Sequence, residues 1–184
     1  MITASAKKRE NIAEYLLYMW QIEDLIRAYG LDLDRIDKEI IERHSGLSDQ
    51  QKKEMHEWYE SLIDMMRREG VEKSGHIQLN KNVLIDLNNL HARLLKNPKF
   101  AQYAAEFYNT LPYIVEIRAK AGDNKKDELE SCFDALYGIL MLRLQGKEIS
   151  KDTLEATQQI SRFLALLAKY YKQDYNNELD LEED

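Results

Sequence analysis

One cysteine, two prolines and seven glycines are all that 184 residues hold of covalent and conformational punctuation, and each shortage excludes something. A lone Cys132 excludes an internal disulfide framework and any multi-cysteine zinc site, and it points to a reducing compartment, read here as the cytoplasm. With so little proline and glycine, and with no β-branched runs set between turn residues, no segment reads as a strand. Long apolar runs are missing too. The charge-free stretches Tyr15–Ile22 and Ala135–Leu142 are eight residues each, against the ~20 that a membrane span needs. Net charge is also small outside the C-terminal end. The formal net charge is −7, and six of those charges belong to the carboxylates of DYNNELDLEED at 174–184, so the body stands at −1. A nearly neutral body offers no field for nucleic acid or anionic lipid, and neither is expected as a partner. Residues 174–184 read as a solvated, disordered acidic tail.

What is present is helical patterning. The opening MITASAKKRENIAEYLLYMW sets a basic segment before an apolar one, as a secretory signal does. Glu14 interrupts it, however, and Gln21, Glu23 and Asp24 close it without a small-residue cleavage site, so it reads as the first helix of a mature, soluble protein. Within Glu10–Tyr29 the run Tyr15 to Trp20 is wholly apolar and at 100° per residue covers nearly the whole circumference, which predicts burial on most sides. Glu14, Gln21 and Asp24 form its polar stripe. Glu23 and Arg27 project on the other side, among Ile12, Leu16, Met19, Trp20 and Ile26.

Gly30, Gly46, Gly70, Gly122 and Gly146 each follow an apolar-periodic segment, where a left-handed residue ends a helix. The segments so closed are 8–29, about 33–44, 48–69, 98–121 and 124–145. Ser48 with Gln51 reads as a capping box, Asn97-Pro98 as an N-cap with proline at N1, and Ser150 as the cap of a last helix to about Lys172. A further helix covers about 80–96. The inner stripes are Met55, Trp58, Tyr59, Leu62, Ile63 and Met66; then Val83, Leu84, Leu87, Leu90, Leu94 and Leu95; then Phe100, Tyr103, Ala104, Phe107, Leu111 and Ile114; and last Ile160, Phe163, Leu164, Leu167 and Tyr171. After Ala135 the sixth helix, like the first, is apolar all round. The expected fold is all-α: an antiparallel bundle of six long helices and one short one, helices one and six central, forming a single domain over 1–173.

Few residues promise chemistry. Glu23 and Arg27 are one helical turn apart on an apolar face, and a buried charge without a partner costs several kcal/mol. A structural ion pair is the ordinary reading; a site for a small polar ligand and a subunit interface are the alternatives. Arg143 falls on the inner stripe of helix six and His91 on the apolar flank of helix four, so the expectation is one internal polar cluster of Glu23, Arg27, His91 and Arg143. A core histidine satisfied by one hydrogen bond is the ordinary reading of His91. Gly138 in mid-helix costs ~1 kcal/mol against alanine, which close approach of helix one would explain, with ligand access as the alternative. Pro112 frees the carbonyl of Tyr108 and predicts a kink that follows the core or lines a pocket. No cofactor or metal is expected: none of the four histidines has a carboxylate three residues before it, and there is no Gly-rich phosphate loop, nucleophile elbow or HExxH. Glu39-x-x-Glu42 and Glu57-x-x-Glu60 resemble the magnesium-binding helices of all-α nucleotide pyrophosphohydrolases, although such pairs are frequent on solvated helices. Cys132, beside Phe133 and Leu136, reads as an inert core thiol.

The strings KKRENIAEYLLYMWQIEDLIRAYGLDLDRI, ESCFDALYGILMLRL and ISRFLALLAKYYKQDYNNELD resemble an uncharacterised bacterial family of all-helical proteins of about this length, a domain of unknown function. The resemblance implies a cytoplasmic bacterial protein and assigns no catalytic or binding residue. The leading expectation is a non-enzymatic helical interaction module that self-associates through the apolar surfaces of helices one and six. A bundle binding a small polar or anionic metabolite at the Glu/Arg/His cluster is the alternative, and a magnesium-dependent nucleotide hydrolase is the third reading.

Overall fold

The computed structural model describes residues 2–121 and 126–181. The protein is all-α: it is 79% helical, with eight α-helices and no strand among the described residues. These are α1 (Ile2–Glu10), α2 (Ile12–Ala28), α3 (Leu33–Ile36), α4 (Asp49–Arg68), α5 (Gln78–Lys96), α6 (Ala101–Ala121), α7 (Glu128–Leu144) and α8 (Lys151–Tyr175). A π-helical turn, Asp37–Ile41, extends α3, and a 3₁₀ turn, Pro98–Phe100, leads into α6. None of the helices is long and apolar enough to cross a membrane, among the described residues.

The stop and start signals act through orphaned backbone groups. Gly30, Gly70 and Gly146 take φ of +70°, +66° and +66°. After each, the next residue reaches back to close the helix: Leu31 N–H to Ile26, Val71 N–H to Met66 and Lys147 N–H to Leu142, each at 3.0 Å. Asn177, at φ +56°, ends α8 in the same way. Ser48 and Gln51 form the reciprocal capping box of α4, and Ser150 accepts from Thr153 N–H at the start of α8. Gly46 departs from the expectation, since its φ is not left-handed, and Gly122 lies outside the described residues.

The expected first helix, 8–29, is two helices. Asn11 interrupts it, its side-chain oxygen accepting the Ala13 N–H at 3.1 Å, so a local Asx bond replaces helical continuity there. Of the expected disordered tail 174–184, the described part has structure and partners: α8 runs to Tyr175, Asp174 meets Arg93 at 3.4 Å, and Asp180 meets Lys99 at 2.9 Å; residues 182–184 lie outside the described residues.

The chain divides into two compact units: Met1–Arg9 with Glu14–Val83, and Glu10–Ala13 with Leu84–Asp184. The first is built on α2, whose Leu16, Met19, Trp20 and Ile26 are all within 1% of full burial, with Tyr59, Leu62, Ile63 and Met66 supplied by α4. The second packs α6, α7 and α8 against one another. α6 and α8 run antiparallel: Phe100 meets Tyr170, Phe107 meets Phe163, and Gln159 donates to Glu106 and Thr110. Its centre is aromatic, with His91, Tyr103, Phe107 and Phe163 lying 4.7–5.9 Å apart between ring centres. α7 buries Leu129, Cys132, Phe133 and Ile139, while Gly138 and Leu144 are exposed.

Candidate functional site

Glu23 is fully buried, and its partners come from the link after α4 and the first turn of α5. Oε2 lies 2.5 Å from His76 Nδ1, and Oε1 accepts from Ile77 N–H and Asn80 Nδ2, both at 2.9 Å. A carboxylate that accepts three N–H groups is satisfied without water, which is the condition for burying it. Trp20, one turn before Glu23, stacks on the His76 ring at 4.2 Å and 12°. One turn further, Arg27 does not pair with Glu23. Its guanidinium donates to the carbonyls of Val71, at 3.0 Å, and Gly75, and holds Asp24 at 2.7 Å. Together these side chains of α2 are a latch on residues 71–80.

The four residues expected to converge therefore occupy three settings. Glu23 and Arg27 serve the latch through separate partners. His91 is buried in the second unit, where Nδ1 lies 2.6 Å from the Tyr103 hydroxyl. Burial lowers the His91 pKa against the upward pull of Glu128 and Asp127, and burial raises that of Tyr103. The tyrosine thus keeps its proton and donates it to a neutral imidazole, so His91 is the satisfied core histidine of the ordinary reading. Arg143 is exposed in the last turn of α7, where a cation complements the helix C-terminus.

One glutamate of each pair has a local cation. Glu39 faces Arg43 and Glu57 faces Lys53, each at 3.9 Å, while Glu60 lines an open cavity of about 390 Å³ with Asp32, Asp34, Asp64 and Arg67. Arg67 donates to the Leu31 carbonyl there, and Asp32 caps α3. Among the described residues no group of three or more His, Cys, Asp or Glu is placed to hold a metal ion.

Two surfaces of the second unit are open. The outer face of α6 carries Ala101, Ala105, Tyr108, Pro112, Val115 and Ala119, all exposed, Tyr108 at 62% and Val115 at 57%. Pro112 stands inside an unbroken α6 on this face. Near the end of α6, an open wedge of about 520 Å³ lies between α6, α7 and the first turns of α8. Ile117, Ala135, Ile139 and Leu142 make its apolar wall, and Glu116, Asp134 and Asp152 also line it. Gly138 lines it as well, and a Cβ there would meet nothing within 4 Å. Close helix approach therefore does not explain this glycine.

One family model matches residues 1–178 of the chain. The chain belongs to the DUF4924 family. The family is described as a domain of unknown function, and its match spans nearly the whole chain. No curated protein and no solved structure matches the chain. In this DUF4924 chain, sequence reasoning missed His76 and Asn80, which no periodicity connects to Glu23, and Tyr103 as the partner of His91. It also missed the outer stripe of α6, although the 4-3-4-3-4 spacing of that stripe stands in the sequence.

Proposed function

We propose that this protein is a non-enzymatic helical interaction module, bacterial and cytoplasmic, that self-associates along the outer face of α6. The observation that carries the proposal is the exposed stripe Ala101, Ala105, Tyr108, Pro112, Val115, Ala119. Alternating steps of four and three residues are the spacing of a seam between two helices packed at about +20°. Alanines let the backbones approach, while Tyr108 and Val115 supply apolar area near the middle. Gln102, Asn109 and Glu116, spaced by seven and all exposed, give the seam a polar edge. Two α6 helices related by a two-fold axis offer the same stripe to each other, so the contact closes at a dimer. The seam thus moves from the expected surfaces of helices one and six to α6. The buried thiol of Cys132, free of any disulfide, supports a reducing compartment, and the sequence resemblance supports a bacterial source.

Sedimentation equilibrium across two decades of concentration tests this reading. Wild-type protein is expected to approach twice the monomer mass, and Tyr108→Glu and Val115→Glu to remain monomeric with unchanged circular dichroism, because both positions are exposed. Wild-type protein that stays monomeric throughout would overturn it.

A further inference from the structure

We propose that the wedge between α6, α7 and α8 binds a small amphipathic cation, an apolar body carrying an ammonium or guanidinium head. Three independent features lead there. The first is size and lining. About 520 Å³ is a small-molecule volume, and its apolar wall gives such a body somewhere to leave water.

The second is charge. Glu116, Asp134 and Asp152 line the wedge, with no Lys or Arg among its described lining residues. Asp134 already draws an ammonium, that of Lys126, at 2.7 Å. Asp152, in the first turn of α8, has no ion-pair partner among the described residues. With Lys126 held by Asp134, an anionic ligand would face the carboxylate of Asp152, and a neutral one would forgo it.

The third is Gly138. It sits in the middle of α7 with open space where its side chain would be, so packing within the protein gives no reason for a glycine. A ligand lying against α7 does, because any larger side chain would project into the volume that it fills.

Isothermal titration calorimetry with octyltrimethylammonium, octanol and octanoate, each below its micelle concentration, tests the proposal on the full chain. The three share an apolar tail and differ in head charge. The expected result is one octyltrimethylammonium per chain, weaker binding of octanol, and no binding of octanoate. Asp152→Asn should weaken the cation about fivefold, the scale of one solvent-exposed ion pair, and leave octanol unchanged. Gly138→Leu should abolish binding while thermal unfolding stays cooperative. Octanoate binding as tightly as the cation would overturn the proposal. So would no binding by any of the three, or unchanged cation binding in Gly138→Leu. The preference for the cation over octanoate is read on wild-type protein and does not depend on how either variant folds.

Discussion

Replacing Glu23 by alanine should loosen the first unit more than any other single polar substitution in it. The change leaves the Ile77 N–H and the Asn80 amide as buried donors without an acceptor, at about 1–3 kcal/mol each. It also removes the His76 partner and opens a small void beside Trp20. The expected loss is about 3–5 kcal/mol, the range for breaking a buried charged partnership. Both tryptophans of the chain, Trp20 and Trp58, lie in this unit, so their fluorescence follows its unfolding by urea. With a slope of about 2 kcal/mol per molar urea, the midpoint should fall by about 2 M. Glu23→Gln keeps the shape and an oxygen for both Ile77 and Asn80, with its amide facing only His76 Nδ1, which must then switch tautomer to accept, and should lose no more than about half as much. A fall below about 0.5 M for Glu23→Ala would refute the reasoning, since a carboxylate that mattered only as a surface charge would cost no more than that.

Three further outcomes follow from the second unit and the helix ends. Burial holds the folded pKa of His91 below its ordinary 6.5, so the unfolded chain binds the proton more readily. Stability is then complete above pH 6.5 and falls as the pH drops through that value toward the folded pKa; in His91→Gln, urea midpoints between pH 7 and 5 should vary less steeply. Burial likewise raises the Cys132 thiol well above its usual range, so a thiol reagent at pH 8 should label it only on unfolding, and rapid labelling of native protein would contradict the burial. Gly138→Ala, inside a helix with free space around it, should stabilise by up to ~1 kcal/mol, whereas Gly30→Ala, forced to φ +70°, should destabilise by about 1 kcal/mol. Thermal melts of the two variants should therefore move in opposite directions.

What could be read from the sequence was local. Caps such as Ser48, stops such as Gly70, and inner stripes such as Tyr59, Leu62, Ile63 and Met66 depend on neighbours within a turn or two, and the structure has them in place. The partners of Glu23 were illegible because they lie 53 to 57 residues away. The spacing of four favoured Arg27, but the long guanidinium arm reaches backbone carbonyls instead. Arg143 was misplaced for a different reason: α7 lacks a polar stripe, so helical periodicity could not choose its inner face. Asn11 went unnoticed as a break because both sides of it are good helix formers.

The Glu23 latch also sets an order of events and a geometry of repair. The loop between Glu23 and His76 contains α3 and the whole of α4, so closing it costs the entropy of a long circuit unless those helices have already formed and shortened it. On that cost the carboxylate is expected to close after the interior elements, as a late clasp. Once made, it joins the two ends of that circuit without a covalent bond. A protease cut in the turn between α3 and α4 should therefore leave two pieces that migrate together under native conditions and separate only in denaturant.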